Sequence, residues 1–381
     1  MKIAIVTHRF ARNDGQGRVN YETALRSAEL GHELYLVSAY VAPELLKYPH
    51  VRWVKISYGV MPSSLIRYQV FAFRSWLWLR ANRSWLDIVH VNGAITWARG
   101  DLNSVHFVHS GWRQSDHFSN SPGWRGTYQG LFGWFNALAE RRSFLDATQI
   151  VAVSPHLARE IADLSIEPGR IEVVQNGIDA AEFSPGVGDR ARFGLPAAGV
   201  MAVFVGDLMT ERKNLDTVLS AVAGVPDLHL VVAGTSDGSR FPALAKRLGI
   251  ADRVHFVGMV KDMPLLLRSV DFLVFPSRYE PWGMVVPEAM AAGLPVITTR
   301  STGASEIVAE DAGFVLDDPD DVHVLAAVIR QVASDASLRA AAGLRAREIV
   351  QPMSWGRMAD QYVALYARLL TRRQTRVGSR N

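Results

Sequence analysis

The stretch SRYEPWGMVVPEAMAAGLPVITT, residues Ser277–Thr299, carries two carboxylates eight positions apart. Glu280 lies in a short turn with two aromatic residues, a proline and a glycine, and Glu288 lies about one turn into a predicted helix, Met284–Ala292. The apolar run DFLVFPS leads directly into this turn and predicts a buried strand. Open α/β sheets bind ligands at the carboxyl ends of their strands, so this stretch predicts a binding site.

The start of the predicted helix offers a place for an anion. The backbone N–H groups near Gly283, Met284 and Val285 point out of the helix end, where the helix dipole favours negative charge. The two glutamates repel a phosphate, so we expect them to accept hydrogen bonds from hydroxyl groups instead. Hydroxyl groups on both sides of a diphosphate describe a nucleotide sugar. The alternative is that both glutamates are ordinary surface acids.

Apolar runs alternate with helical segments along the chain, which predicts βαβ units and parallel sheets buried on both faces. One segment, NGIDAAEFSPGVGDRARFGLPAAG (Asn176–Gly199), interrupts the alternation and is rich in Gly and Pro. We therefore expect two doubly wound domains joined by one linker.

Two loops carry weaker signals for a bound anion. Gly15 and Gly17 follow the first predicted strand and open the first helix, so backbone N–H groups can approach a phosphate there. Asn20 replaces the third glycine of a dinucleotide-binding G-x-G-x-x-G motif. In the second half, Arg212 and Lys213 precede a helix, where positive charge opposes the helix dipole and a bound polyanion would explain it. The alternatives are a flexible loop and solvated charges.

Composition excludes several classes of protein. Hydrophobic residues make up 49% and charged residues 20% of the 381 positions, as in folded soluble proteins. The chain contains no cysteine, which excludes disulfides and thiolate chemistry and fits a reducing cytosol. No apolar run is long enough to span a bilayer, and the first strand begins at Lys2, which leaves no room for a signal peptide. We therefore expect a cytoplasmic protein.

These motifs together resemble those of the retaining glycosyltransferases with the GT-B fold, specifically glycosyltransferase family 4. The strongest carrier is the E-x7-E pattern from Glu280 to Glu288 with its continuation EAMAAGLPVI. The segments VVQNGID (Val173–Asp179), TQIVAVSP, RVHFVGMV and GQGRVNYETALRSAELGHEL agree with the family as well. The resemblance covers essentially the whole chain, and it is specific for the family but not for the sugar.

The resemblance implies an α/β fold of the GT-B type, with two Rossmann-like, doubly wound parallel-sheet domains that face a central cleft. The N-terminal, acceptor-binding domain would comprise residues 1–178 and also 357–381, because the C-terminal helix crosses back to it. The donor-binding domain, for the nucleotide sugar, would comprise residues 179–356.

The resemblance also implies roles for individual residues. Glu280 would hold hydroxyl groups of the donor sugar, and Glu288 the ribose hydroxyls of the nucleotide. Lys213 matches the basic residue that neutralises the leaving diphosphate. The remaining contacts with the donor would come from backbone groups, at Gly15, Gly17, Val260, Gly283, Met284 and Val285.

One position departs from the family pattern. The family usually has an arginine directly after the strand glycine, where this chain has Asp207. Arg212 is the first candidate to replace it, and Arg278 is a weaker one. His109, at the end of the predicted strand SVHFVHS, matches the histidine that faces the donor sugar. We expect His106 on the same strand, pointing to the same side.

The resemblance implies catalysis without a metal or another cofactor. The acidic stretch DDPDD (Asp317–Asp321) is predicted to be a loop rather than a metal-binding motif. Lys213, with Arg212, and backbone N–H groups would stabilise the charge that builds on the diphosphate. Attack from the front face would retain the anomeric configuration, so Glu280 would orient the sugar and His109 would face it.

The N-terminal half is basic and rich in tryptophan. The span Arg52–Arg142 holds eleven Lys and Arg against four Asp and Glu, and eight of the ten tryptophans lie between Trp53 and Trp134. One hypothesis places LIRYQVFAFRSWLWLRANRSW, and the loop after it with three more tryptophans, at an anionic membrane surface. A second stacks the tryptophans on an oligosaccharide, and a third makes them core residues of a helix hairpin. No nucleic-acid recognition motif is present in the sequence, so we do not expect nucleic acid as a partner.

The sequence therefore predicts a hexosyltransferase that moves a sugar from a UDP- or GDP-sugar to a saccharide or lipid-linked saccharide. We expect it to serve cell-surface glycan synthesis, in the cytoplasm and at the inner face of the plasma membrane. The alternatives are a nucleotide-sugar epimerase or a sugar phosphorylase on the same fold, and a catalytically silent glycan- or membrane-binding protein.

Overall fold

A computed structural model describes residues 1–12, 15–58, 63–114 and 124–378 of the chain. The chain divides into two compact units. The first comprises Met1–Gly177 and Trp355–Asn381, and the second comprises Ile178–Ser354.

The first unit contains a parallel sheet with helical crossovers. Its strands are β1 (Lys2–Val6), β2 (Arg9–Phe10), β3 (Glu33–Ser38), β4 (Tyr40–Val41), β5 (Val51–Lys55), β6 (Ile88–Asn92), β7 (Leu102–Val105), β8 (Gln149–Ala152) and β9 (Ile171–Val173). Its first five helices are α1 (Gly15–Glu29), α2 (Ser64–Asn82), α3 (His109–Gln114), α4 (Trp124–Asp146) and α5 (Pro155–Asp163).

Seven of these strands form one parallel sheet in the order β5-β3-β1-β6-β7-β8-β9. The strands β1 and β6 are buried almost throughout, as expected for a parallel sheet that is covered on both faces. From β1 the chain adds β3 and β5 on one side of the sheet, and it then returns to add β6, β7, β8 and β9 on the other side. The direction in which strands are added therefore changes between the neighbours β1 and β6, which is the switch point of this sheet.

The second unit repeats this architecture. Its strands are β10 (Val200–Val205), β11 (Leu228–Ala233), β12 (Val254–Gly258), β13 (Phe272–Phe275), β14 (Val296–Thr299) and β15 (Gly313–Leu316). Its helices are α6 (Leu215–Ala223), α7 (Phe241–Arg247), α8 (Met263–Arg268), α9 (Val285–Ala291), α10 (Val322–Ser334) and α11 (Ala336–Val350). The parallel sheet has the order β12-β11-β10-β13-β14-β15, and the switch lies between β10 and β13.

The last helix, α12 (Trp355–Gly378), belongs to the first unit although it follows the second in sequence. Its Tyr366 hydroxyl lies 2.7 Å from His90 Nδ1 on β6, and His90 Nε2 lies 2.7 Å from the Ser104 hydroxyl on β7. Burial lowers the pKa of His90 to about 3, so the imidazole is neutral: one ring nitrogen donates to one of these hydroxyls, and the other nitrogen accepts from the second. This buried network joins the helix to the sheet.

The structure corrects two expectations about local structure. The strand expected over SVHFVHS ends at Val105, and a short helix begins at His109. The sequence also did not predict the small parallel ladder between β2 and β4, because strands of two residues are too short to show a period. Among the described residues, no helix has both the length and the apolar character needed to cross a bilayer.

Candidate active site

Three charged side chains meet at the carboxyl edge of the second sheet. Lys213 Nζ and Arg212 Nη1 both donate to Glu280 Oε2, the arginine at 3.2 Å. The three side chains are only 14–22% exposed. They sit on the loops that follow β10 and β13, which are the two strands at the switch point, where open α/β sheets bind ligands.

Backbone contacts hold the two cations in place. A short 3₁₀ turn, Glu211–Lys213, ends at Asn214, which has a positive φ of 65°. The buried amide of Asn214 donates to Pro276 O at 3.0 Å and to Pro319 O at 2.6 Å. The carbonyl of Arg212 accepts from the backbone N–H of Arg278 at 2.9 Å. The loop after β10 is therefore fixed to the loop after β13.

The charges of the cluster shift each other's protonation. Burial lowers the pKa of Lys213, against the opposing effect of Glu280. Burial alone would raise the pKa of Glu280, but the charges of Lys213 and Arg212 outweigh it and bring this pKa below its usual value. Glu280 is therefore ionised at neutral pH. The three groups together carry one surplus positive charge when Lys213 is protonated, which suits an anionic ligand.

The backbone of Glu280 is held from both sides. Its N–H donates to Ser301 O at 2.9 Å, and its carbonyl accepts from Gly303 N–H at 2.7 Å. Gly283 closes the turn with a φ of +89°, and a Cβ there would lie 3.1 Å from Glu280 Cγ and from Thr302 Cγ2. A glycine at this position is what allows the Glu280 side chain to occupy its place.

The other residues of this unit that the resemblance assigns to the donor site lie around the same edge of the sheet. Met284 precedes α9, Val285 is its first residue, and Glu288 lies in its first turn, partly exposed. Val260 lies in the loop after β12 and is also partly exposed. The helix begins one residue later than expected from the sequence.

Asp207 and Arg278 have other partners than a ligand. Asp207 is exposed, and its carboxylate accepts from the backbone N–H of Met209 at 2.9 Å. Arg278 lies 3.1 Å from Asp216 and 2.7 Å from Asp320. Because two carboxylates already match its charge, Arg278 is disfavoured as a substitute for the family arginine. Arg212 lies beside Glu280, and its role in place of the family arginine stays a prediction.

The first unit holds the remaining predicted residues. Gly15 and Gly17 lie in the first turn of α1, which follows β1 at that sheet's switch point. His109 is the first residue of α3, and its backbone N–H and Nδ1 contact the carboxylate of Glu140. His106 precedes it by three positions, in the loop after β7, so the expectation that both histidines lie on one side of a strand is wrong. Burial lowers the pKa of His106 to about 4.

The described tryptophans of this unit differ in burial: some pack against the core, and Trp97 is exposed to solvent. Trp78 and Trp85 pack on the core around Tyr35 of β3, so these two are core residues, although their partner is a strand and not a second helix. Trp53 on β5 is partly buried and donates to Ser38 O. Trp97, in contrast, is 54% exposed.

The expected loop is wrong at the three further tryptophans, because Trp112 lies on α3 and Trp124 and Trp134 lie on α4. The stretch 115–123 and the side chains of Trp124 and Trp134 lie outside the described residues, so the membrane and oligosaccharide hypotheses stay predictions there.

Trp97 belongs to an exposed aromatic patch. The patch comprises Phe73, Trp76, Leu77, Trp97 and Leu138, four of which are 42–54% exposed. The rings of Phe73 and Trp97 lie 5.5 Å apart, and those of Trp76 and Trp97 lie 6.4 Å apart. A trough of about 540 Å³ is lined by Trp76, Trp97 and Leu138 of the patch, together with Arg142.

Within the described part of the chain, no three His, Asp or Glu side chains are grouped so that they could hold a metal ion. The residues that the sequence did not single out are Asn214, Glu140 and the strap Ser301–Gly303. Of these, only Asn214 gave a local signal, because asparagine directly before a helix tolerates a positive φ.

Comparison with known families decides the classification. Residues 13–182 match the family described as Glycosyltransferase Family 4, and residues 189–349 match Glycosyl transferases group 1. The chain belongs to glycosyltransferase family 4. Two individual relatives agree with this. The D-inositol 3-phosphate glycosyltransferase of Salinispora tropica is 30% identical over 63% of this chain. The lipopolysaccharide core biosynthesis glycosyltransferase LpsE of Rhizobium meliloti is 31% identical over 59% of this chain.

The matched part spans 55% of the Salinispora enzyme and 65% of the Rhizobium enzyme. Solved structures show the same fold over nearly the whole chain. Sucrose-phosphate synthase from Thermosynechococcus elongatus superposes with a TM-score of 0.79 and 22% identity, covering 97% of this chain and 99% of that one. Anabaena Alr3699/HepE in complex with UDP and glucose has a TM-score of 0.73 and 20% identity, covering 96% and 99%. These are GT-B structures, and the GT-B fold expected from the sequence is confirmed.

Replacing Gly283 by alanine tests how Glu280 is held. An alanine at a positive φ costs about 1–2 kcal/mol by itself, and in Gly283→Ala the new Cβ also pushes on Glu280 and Thr302. Gly238→Ala is the matched control, because its φ is +75° but no atom lies within 4 Å of the new Cβ. We expect Gly283→Ala to lower the melting temperature more than Gly238→Ala does. Equal shifts would show that Gly283 does not shape the site.

Proposed function

We propose that this family member is a retaining hexosyltransferase that needs no metal ion. It would transfer a sugar from a UDP- or GDP-sugar to a saccharide or lipid-linked saccharide, in the synthesis of a cell-surface glycan. The observation that carries the proposal is the cluster of Lys213, Arg212 and Glu280, in which two cations and one ionised carboxylate share a half-buried site at the switch point of the second sheet.

The cluster fits the two ends of the bond that breaks. In the proposed step the bond between the anomeric carbon and the diphosphate oxygen breaks, while the acceptor hydroxyl oxygen bonds to the anomeric carbon on the same face. The acceptor proton passes to the departing phosphate oxygen, so no separate base is required. Negative charge builds on the diphosphate, where Lys213 and Arg212 stabilise it as fixed charges in a partly desolvated site.

Glu280 has a different task in this step. Its carboxylate is ionised and only accepts hydrogen bonds, so it can bind sugar hydroxyl groups but not phosphate oxygens. Its contact with Lys213 keeps a cation next to it before any donor arrives. Sugar and diphosphate are thus bound by groups whose charges already partly compensate each other and leave one surplus positive charge for the diphosphate. Glu288 would take the ribose hydroxyls. His109 would face the sugar from the first unit.

The names of similar proteins support the proposed substrates. The Anabaena structure holds UDP and glucose, which supports a UDP-sugar. The Rhizobium relative is named for lipopolysaccharide core synthesis, which supports a cell-surface glycan as the product. The Salinispora relative is named for a phosphorylated inositol acceptor, so relatives of similar identity use different acceptors.

The exposed aromatic patch supports an acceptor that is carried by a membrane. On α2, Phe73 and Leu77 present apolar side chains to solvent, and Arg80 lies over the Trp76 ring at 5.3 Å. Arg99 and Arg142 on the neighbouring segments are mostly exposed, and each lies 3.9 Å from the carboxylate of Asp146. Apolar side chains with arginines on the neighbouring segments fit the headgroup region of an anionic bilayer. We propose that surface as the partner, at the inner face of the plasma membrane.

Two alternatives remain distinguishable by their products. A nucleotide-sugar epimerase would release an epimerised nucleotide sugar, and a phosphorylase would depend on phosphate. A catalytically silent binding protein would keep its biological activity in Glu280→Gln and Lys213→Ala, whereas the proposed enzyme loses transfer in both while remaining folded.

A panel of UDP, GDP, ADP and their sugars, without added metal, tests the donor site by thermal shift. A ligand at 100 times its dissociation constant stabilises the folded protein by about 2.7 kcal/mol, which is readily measured. We expect one nucleotide to raise the melting temperature and Glu288→Ala to abolish that rise. Glu310→Ala, which removes an exposed glutamate between β14 and β15 of the same unit, is the control and should retain it.

No rise from any nucleotide would contradict the proposed donor site and favour a silent binding protein. A rise that Glu288→Ala leaves intact would keep the nucleotide but remove the assigned role of Glu288. A rise that appears only with added Mg²⁺ would overturn the proposed independence of metal.

Co-sedimentation with vesicles tests the membrane partner. We expect binding to vesicles rich in phosphatidylglycerol, loss of binding at high salt because surface charges are screened, and weak binding to phosphatidylcholine alone. Phe73→Ala with Trp97→Ala should weaken it, whereas Leu344→Ala, which removes an exposed leucine of the second unit, should not. Absence of salt-sensitive binding would remove the membrane proposal. Binding to a soluble oligosaccharide that these two substitutions abolish would favour the stacking hypothesis instead.

A further inference from the structure

One buried carboxylate of the first unit has so far no role in the proposed reaction. Glu140 lies on α4, and its side chain is only 4% exposed. Among the described residues, its hydrogen-bond partner is His109, which offers two donors, the backbone N–H and the ring. The backbone N–H of His109 donates to both carboxylate oxygens, at 2.9 and 3.1 Å, and the ring atom Nδ1 contacts Oε1.

We propose that Glu140 is a positioning residue, which fixes the ring of His109 and keeps its proton on Nδ1, so that Nε2 is presented to the donor sugar as a hydrogen-bond acceptor. The inference rests on the proposed function, because it needs His109 to face that sugar.

The tautomer follows from the chemistry of the contact. An ionised carboxylate can only accept hydrogen bonds, so Nδ1 of His109 must carry the proton that it donates. A neutral imidazole has a single N–H, so Nε2 then has a free lone pair. The His109 side chain is 39% exposed whereas the carboxylate is buried. The nitrogen that remains for a ligand is therefore Nε2, on the opposite side of the ring from Glu140.

The ring is also fixed in direction. His109 is the first residue of α3, and its backbone and its side chain are attached to the same carboxylate. The Phe107 ring packs edge-on against it at 4.9 Å. Two residues further on, a Cβ at Gly111 would lie 2.8 Å from Glu160 Oε1, so α3 is held close to α5. These contacts restrict rotation of His109 before a substrate binds.

A purely structural role for Glu140 is the competing explanation. A carboxylate at the start of a helix accepts from a backbone N–H that has no partner within the helix, and the helix dipole stabilises its negative charge. That structural role needs only the backbone contact of Glu140. The ring contact is separate from it. A buried carboxylate is costly without compensation, and the imidazole N–H supplies a second donor that helix capping does not require. The two explanations differ in what happens when the ring is removed but the backbone N–H remains.

The test is a double-mutant cycle on the full chain, with the rate of transfer at saturating donor as the measurement. Glu140→Gln retains a carbonyl oxygen for one donor but loses the second acceptor and the charge. We expect it to lower kcat by roughly 10- to 100-fold, as misplacement of a group at the reacting centre does, with a smaller change in the donor KM. His109→Ala should lower kcat by at least as much. In the His109→Ala background, Glu140→Gln should then have no further effect.

Equal losses from Glu140→Gln in both backgrounds would overturn the proposal, because only the backbone contact survives in His109→Ala. If Glu140→Gln does not fold, Glu140→Asp replaces it in the cycle. The shorter acid retains the charge but cannot reach both donors. The proposal is supported if Glu140→Asp lowers kcat in the wild type but causes no further loss in the His109→Ala background. An unchanged kcat contradicts it.

A second readout does not depend on activity. The imidazole ¹⁵N shifts of the wild-type chain report which nitrogen is protonated, and the His109 signal is assigned by its loss in His109→Ala. We expect the proton on Nδ1 in the wild type and a mixture of tautomers in Glu140→Gln. A proton on Nε2 in the wild type would overturn the proposal even if transfer is observed. A proton on Nδ1 in a chain that shows no transfer would leave Glu140 as an orienting residue and reject the proposed function.

Discussion

The ion cluster of Lys213, Arg212 and Glu280 is the constraint around which the second unit is arranged. A carboxylate this deeply placed is stable as an anion only because two cations lie against it, and both cations need the carboxylate in turn. The surrounding backbone serves this contact. Asn214 takes a positive φ to end the turn that carries the cations, and Gly283 takes one so that Glu280 has room. The β10–β13 pair brings the two loops together.

The geometry of the cluster connects electrostatics to the proposed reaction. Charges that are already fixed at the site need not reorganise when negative charge develops on a departing diphosphate, and partial burial strengthens their effect. When no ligand is bound, the carboxylate of Glu280 offsets the repulsion between the two cations. In the first unit, Glu140 and His109 resemble this arrangement on a smaller scale, since a buried acid contacts a ring that is partly exposed.

Much of this was readable from the sequence, and the reason differs between elements. The long buried strands and the amphipathic helices have periods that extend over many residues, and the E-x7-E stretch carries strand, turn and helix signals in a fixed order. The strand assigned to SVHFVHS was wrong beyond Val105, because an apolar run does not show where a chain turns into a short helix. The partners of His109 and Glu280 could not be predicted either. Glu140 is 31 positions from His109, and Lys213 is 67 from Glu280, so only the tertiary fold brings these pairs together.

The central claim is that the surplus positive charge of the cluster of Lys213, Arg212 and Glu280 binds a diphosphate. Calorimetry with the nucleoside diphosphate and monophosphate of one base tests it most directly, on the wild type, Lys213→Ala and the control Arg300→Ala, which removes an exposed ion pair with Asp317. The account predicts a preference for the diphosphate of about tenfold or more, equivalent to roughly 1.4 kcal/mol, in the wild type and in Arg300→Ala. In Lys213→Ala this preference should largely disappear. Equal affinities for the two nucleotides in the wild type, or a preference that survives in Lys213→Ala, would contradict it.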